Sequence, residues 1–168
     1  MSGGPVSFRI ATRADLAGVD ALLSRSYPRL LKADYPPSVL VTALPLISRA
    51  RPELVMSGSY WVAGAGGRIV GAGGWTPGAP EGGRRAAGLG HVRHVVTDAD
   101  RQREGIGRGL MEHVLAQARA AGILRLDCLA TRTAVPFYAA LGFRVLGTVE
   151  VPLRPGIGFP AVRMELDL

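Results

Sequence analysis

Apolar positions change their spacing along the chain, and those changes divide it into elements. Val6 to Ile10 alternates apolar with polar residues and predicts a short strand ending at Ala11-Thr12. Thr12 or Asp15 then caps a helix whose Leu16, Val19, Leu22 and Leu23 share one face. Tyr27 to Pro37 contains three prolines and predicts a break, and Ser38 to Ser48 a weaker helix interrupted at Pro45. Tyr60 to Ala63 and Ile69 to Trp75 are β-type runs joined by Gly64-Ala65-Gly66-Gly67, a hairpin signal. Thr76 to Gly90 is rich in Gly, Pro and Ala and reads as a mobile loop.

The second half is patterned more regularly. Leu89 to Thr97 predicts a strand, Asp98 to Glu104 a polar turn, and Gly105 to Ala121 a helix. Ile106, Leu110, Val114, Leu115 and Ala118 fall on one face of that helix, and Gly122 stands at its C-cap. Ile123 to Ala130 is apolar enough for a central strand, and Thr133 to Leu141 is a short helix stopped by Gly142. Phe143 to Val151 and Ala161 to Leu168 close the pattern as strands, with the Pro/Gly-rich stretch Pro152 to Pro160 between them. Strands alternating with helices predict a mixed α/β sheet. With no repeat, residues 1–168 read as one domain.

Composition narrows the function classes. The 168 residues carry 20 Lys+Arg against 13 Asp+Glu, a formal charge of +7, and 48% are apolar, which excludes wholesale disorder. No apolar run approaches a membrane span, and Met1 to Pro5 lacks the layout of a signal peptide, so a cytoplasmic protein with no membrane partner is the expectation. Cys128 is the only cysteine, which excludes an internal disulfide and argues against a metal centre. Nineteen of the 20 basic residues are Arg, Lys32 being the exception. Codon usage that favours Arg, Ala and Gly explains this as well as a polyanionic ligand does. The arginines are dispersed and not interleaved with aromatics, which disfavours nucleic acid as the partner.

The chemistry concentrates in Val95 to Leu110, VVTDADRQREGIGRGL. A strand ends, a polar turn follows, and Gly105 and Gly107 open a helix. Glycine lets a ligand approach the backbone, and the first N–H groups of a helix have no internal partner and lie at its positive end. Together these make a pyrophosphate site, with Arg101, Arg103 and Arg108 adding charge around it. A tight turn with a solvated basic face explains the same residues. A Walker loop is excluded because no Lys stands at the motif, and Gly105-x-Gly107-x-Gly109 does not fit the dinucleotide fingerprint.

Two motifs carry a resemblance. Gln102-Arg103-Glu104-Gly105-Ile106-Gly107 is similar to Gln/Arg-x-x-Gly-x-Gly/Ala, the acetyl-CoA pyrophosphate loop of the GNAT superfamily of N-acetyltransferases. Further on, Ala134-Val135-Pro136-Phe137-Tyr138-Ala139-Ala140-Leu141-Gly142-Phe143 resembles that family's Ala-x-x-Phe-Tyr-x-x-x-Gly-Phe. Val62-Ala63 and Ile69 to Trp75 look like its second and third strands. The family's frequent Asn three residues before the second motif is Thr131 here, which puts one cofactor contact in doubt.

The resemblance implies a single GNAT-like α/β domain whose central mixed sheet is splayed to admit acetyl-CoA as co-substrate, with no metal. Val95, Val96 and Thr97 would pair with the pantetheine arm as an added strand does. Gln102, Arg103, Glu104, Gly105, Ile106, Gly107 and Arg108 would hold the pyrophosphate, and Thr131 and Phe137 would also touch the cofactor. The family places a tyrosine at Tyr138 to protonate the departing thiolate; packing alone is the other reading of that residue.

His91 falls where some members carry a glutamate base, and its imidazole titrates in a suitable range. By strand alternation His91, Arg93, Val95 and Thr97 share one face and His94 the other. His94 is a second candidate base, and a water chain is a third route. Glu104 and Asp98 read as solvated turn residues. Cys128 reads as a small buried hydrophobe, and Trp75 as core sooner than pocket. Arg84-Arg85 could meet an acidic acceptor or the cofactor phosphates, or could serve solubility.

The acceptor, a small-molecule or peptide amine, would be bounded by Tyr27 to Pro45, Thr76 to Gly90 and Pro152 to Pro160. A homodimer could form through pairing of Ala161 to Leu168. A non-catalytic acyl-CoA sensor and a basic nucleic-acid-binding protein are the two rival functions.

Overall fold

The computed structural model describes residues 4–80 and 85–168. Seven strands form one mixed sheet in the order β1-β2-β3-β4-β5-β7-β6: β1 Ser7–Ile10, β2 Tyr60–Ala65, β3 Arg68–Thr76, β4 Leu89–Thr97, β5 Arg125–Ala130, β6 Arg144–Arg154 and β7 Ile157–Asp167. The helices are α1 Leu16–Leu31, α2 Pro37–Ile47, α3 Pro52–Val55, α4 Ile106–Ala120 and α5 Val135–Ala140. On one face α1, α2 and α3 bury Val19, Leu22, Leu23, Leu31 and Val55 with Val62, Val96 and Phe159. On the other, α4 and α5 bury Met111, Val114, Ala118 and Tyr138 with Trp75, Leu126 and Met164.

Among the described residues one strand pair is parallel, β4 with β5, and it is short: Leu89, Gly90 and His91 pair with Arg125, Leu126 and Asp127. Beyond that point the strands part. The rest of β4 presents one edge without a strand partner, which is the splay that the family resemblance implied. A bulge lies within this stretch. Ala72 pairs with Val96 but Gly74 with Arg93, so β4 carries one extra residue opposite Gly73. His94 takes the left-handed conformation there (φ +44°). A Cβ on Gly73 would come within 2.8 Å of a Val95 methyl, so glycine is what fits opposite the bulge. The extra residue also reverses the alternation: Val92 and Val95, an odd number apart, both pack toward α4. The expected common face for His91, Arg93, Val95 and Thr97 is therefore broken at His94.

Three expectations about proline and pairing are corrected. Helix α1 runs through Pro28 and α2 through Pro45. The carbonyls that a proline deprives of a donor belong to Ser24 and Val41, both exposed, where water can serve them. Pro152 to Pro160 is not a loop: β6 and β7 pair through it, turning only at Pro155-Gly156, with Gly156 at φ +81° as a type II turn requires. Pro152 is tolerated because β6 is the sheet edge, and Pro160 because β7 there lies beyond the end of β5. From Val162 to Glu165 strand β7 is flanked by β5 on one side and β6 on the other, so the stretch expected to pair across a dimer is interior to the sheet.

Arg9, Arg25, Arg29, Arg68, Arg101, Arg125, Arg144 and Arg163 each engage a carboxylate within the described residues, so much of the positive charge is locally paired. Among the described residues no helix is long and apolar enough to cross a membrane.

Candidate functional site

The splay between β4 and β5 opens into connected cavities. One, of about 140 Å³, runs from Gln102 and Gly107 past Thr97, Val95 and Phe137 to Tyr138. At its outer end the chain turns sharply into α4, with Arg103 at φ +62° and Gly105 at φ +77°. This leaves the N–H groups of Ile106, Gly107 and Arg108 without intrahelical partners at the positive end of the helix. A Cβ on Gly107 would sit 3.1 Å from the Phe137 ring, so glycine there allows the two motifs to close on each other.

The turn is braced from below. Asp98, which the sequence suggested was solvated, is only 2% exposed. Its carboxylate accepts from the Asp100 N–H (3.0 Å) and from Arg25 of α1 (3.0 Å), with Arg68 of β3 at 3.5 Å. Its carbonyl accepts from the Gln102 amide at 3.2 Å, so that side chain is committed to the turn. Burial pushes the Asp98 carboxyl up, but the Asp100 N–H and the Arg25 guanidinium outweigh it and leave it below its ordinary value. Glu104 pairs with Arg101 at 2.9 Å and is a surface turn residue as expected.

Tyr138 stands at the inner end. Its ring packs edge-on between Phe137 and Phe143, with centroids 5.2 and 5.3 Å away. It is buried, and burial first, then the neighbouring Cys128, raises its phenol well above the usual value, so it holds its proton at neutral pH. Cys128 is likewise buried, with its thiol pushed up to about 12, a protonated apolar group as expected. The Thr131 hydroxyl accepts from the Ala134 N–H at 3.2 Å, capping the turn before α5, and still faces the cavity with a hydrogen to donate.

Past Tyr138 lies a second cavity of about 170 Å³, reached by Arg51, Arg93, His94 and Val151. A third, of about 240 Å³, adjoins it across Cys128 and Leu129, with His91, Asp127, Glu150 and Arg163 on its walls. The structure therefore places His94 in one cavity with Tyr138, and His91 in the next. Desolvation, reinforced by Arg51 and Arg93, lowers the His94 imidazole to about 4, so it is neutral near pH 7. Val96 is buried in the core and contributes backbone only. Trp75 is core, its indole N–H on Gln117 at 3.1 Å. Of the Arg84-Arg85 pair, Arg84 lies outside the described residues and Arg85 is exposed. Among the described residues no group of three or more His, Cys, Asp or Glu could hold a metal ion.

The family model for the GNAT acetyltransferase domain matches residues 56–145, more than half of the chain. The chain belongs to the GNAT acetyltransferase family. Solved structures agree with the GNAT fold over its whole length. A GCN5-related N-acetyltransferase from Rhodopseudomonas palustris superposes with TM-score 0.80 at 20% identity, over 100% of this chain and 99% of that one. The PaiA N-acetyltransferase of Thermoplasma acidophilum, solved in complex with coenzyme A, gives 0.74 at 14%, over 98% and 99%. An N-acetyltransferase from Staphylococcus aureus Mu50 gives 0.66 at 15%, over 98% and 99%. No curated protein matches the chain by sequence.

Four residues that line these cavities had no individual role in the sequence, three of them inside the stretch Tyr27 to Pro45 read there only as bounding the acceptor. Tyr27, Leu30 and Leu31 of α1 wall the channel opposite Phe137. They lie at and beyond the supposed break, although the helical spacing Leu23, Tyr27, Leu31 continues through Pro28 and was the available signal. Arg51 had none, standing in an irregular stretch before α3.

Proposed function

We propose that this GNAT domain transfers an acetyl group from acetyl-CoA directly to a primary amine of a small acceptor within a ternary complex. The observation that carries this reading is the position of Tyr138, whose side chain lines both the channel from the glycine turn and the cavity beyond it. Acetyl-CoA fits the first: its pyrophosphate on the N–H groups of residues 105–108, its pantetheine amides along the unpaired edge of β4, and its thioester beside Tyr138. Gln102, Arg103 and Glu104 shape the turn, and Phe137 flanks the arm.

The amine nitrogen forms a bond to the thioester carbon as the C–S bond breaks. The thiolate leaves and takes the Tyr138 proton, and the proton that the new amide nitrogen sheds restores the Tyr138 phenol. Both groups are buried there, and the desolvation that raises the phenol raises the thiolate as well, so the transfer is matched. The acceptor first loses a proton to a base. His94, with a pKa of about 4, holds a proton too weakly for that task. His91 keeps the role, on the wall of the adjoining cavity, where β4 leaves β5.

The test is thiol release from acetyl-CoA across a panel of primary amines, with Tyr138→Phe beside the native chain. The expected result is a loss of roughly 10²-fold or more in kcat with acetyl-CoA affinity retained by calorimetry. Equal rates for both proteins would remove Tyr138 from the chemistry. Tight acetyl-CoA binding without turnover of any amine would favour a sensor.

A further inference from the structure

We infer that the acceptor is a zwitterionic amine, one carrying a carboxylate, and that Arg51 and Arg93 form the subsite for that anion. The inference rests on the acetyltransferase reading and assigns the substrate class of the same site. Its basis is how charge is distributed around the cavity beyond Tyr138. Two guanidiniums line that cavity, Arg51 at its exposed mouth and Arg93 at the β4 bulge, and no Asp or Glu is among its described lining residues. No ion pair or hydrogen bond joins the Arg51 head group to a described residue, whereas eight other arginines are paired with a carboxylate. Arg93 is oriented, its guanidinium donating to the Thr76 hydroxyl at 3.0 Å. His94 between them is kept neutral by burial and by these two cations.

The carboxylates lie elsewhere. Asp127 and Glu150 line the adjoining cavity across Cys128 and Leu129. Among the described lining residues, the cavity beside Tyr138 holds two arginines and no carboxylate, whereas the adjoining one holds Asp127 and Glu150, with Arg163 paired to Asp127 at 3.1 Å. A guanidinium presents paired donors that suit a carboxylate, and its attraction is strengthened where water is partly excluded. A diamine or polyamine would bring a second ammonium against Arg51 and Arg93. A zwitterion instead sets its anion on the arginines and leaves its amine free to reach the thioester beside Tyr138. The small volumes, about 170 and 240 Å³, suit an acceptor of amino-acid size.

The experiment compares matched acceptors: glycine against glycinamide, L-alanine against L-alaninamide, and 4-aminobutyrate against 1,4-diaminobutane. The carboxylate member is expected to have the higher kcat/KM by about tenfold or more. Arg51→Gln should raise KM for the carboxylate members about tenfold more than for the amides, and Arg51→Lys should restore part of the preference. Amides or diamines turned over as well as the carboxylates would overturn the inference, as would an unchanged preference in Arg51→Gln. So would acetyl-CoA binding with no carboxylate-bearing amine acetylated. Absence of acetyl-CoA binding in calorimetry would instead remove the acetyltransferase reading itself, and the two failures are told apart by that measurement.

Discussion

Asp98 shows how one side chain can hold a ligand loop in shape. It follows the last residue of β4, and its carboxylate joins that strand's end to α1 through Arg25, to β3 through Arg68 and to the turn through the Asp100 N–H. Arg25 also donates to the Ile69 carbonyl at 2.7 Å, so the network spans the layer between α1 and the sheet. Arg25 is 28% and Arg68 57% exposed, which screens both pairs; the buried partner is the aspartate. Asp98→Asn keeps the shape but leaves Arg25 without its counter-charge. It should lower stability by about 1–3 kcal/mol and weaken acetyl-CoA binding, both readable by thermal unfolding and calorimetry of the same variant. Unaltered binding would show that the turn holds its form without this brace. Because the folded carboxyl lies below its unfolded value, its contribution is present above about pH 4 and is lost as pH falls further.

The β6–β7 hairpin is the element that most changes the site. Had Pro152 to Pro160 been a loop, nothing regular would cover the end of β5. As a paired ribbon it carries Val149, Glu150, Val151 and Pro152 over the acceptor cavities. It is pinned from the helical side as well, with Tyr35 donating to the Pro160 carbonyl at 2.7 Å and stacked on Phe159 at 4.7 Å. The turn depends on Gly156 at φ +81°, a conformation a β-branched residue resists. Gly156→Val is expected to cost about 1–3 kcal/mol and to raise the acceptor KM while the acetyl-CoA dissociation constant stays the same. Parallel changes in both constants would mean that the hairpin does not act on the acceptor side alone.

At the scale of the molecule, one sheet serves two tasks through a local failure of pairing. The three pairs at Leu89–His91 hold β4 and β5 together, and the splay beyond them supplies an open edge, a channel and a cavity. His94 sits at that divergence, half-buried and beside the charges of Arg51 and Arg93, with the Tyr60 hydroxyl donating to its carbonyl at 2.8 Å. Its folded pKa of about 4 is below the ordinary 6.5, so the unfolded chain binds the extra proton first. Stability should therefore be level above about pH 6.5 and decline as pH falls toward 4. His94→Gln should flatten that decline in thermal unfolding scans at pH 7, 6, 5 and 4; an unchanged slope would place the acid sensitivity elsewhere.

The sequence by itself determined where each of the seven strands lies, though not the reach of β6 and β7 through Pro152 to Pro160, together with the α4 amphipathic face, the glycine turn before it and the Phe137-Tyr138 helix. Each of these is a local pattern: period-two alternation, period-3.6 spacing, or glycine where a positive φ is needed. Tertiary structure alone decided the rest. Pro28 and Pro45 stay helical because Ser24 and Val41 face water, and Pro152 and Pro160 stay in strands because an open edge lies beside them. Neither condition is written in the residues themselves. The bulge at His94 shifts which residues share a face, and it depends on Gly73 on the neighbouring strand. Asp98 is buried, and not solvated, because Arg25 and Arg68 reach it from 73 and 30 positions away in the chain. Local periodicity encodes what a segment becomes, whereas the cavity beside Tyr138 is made by segments that meet only when the sheet has closed.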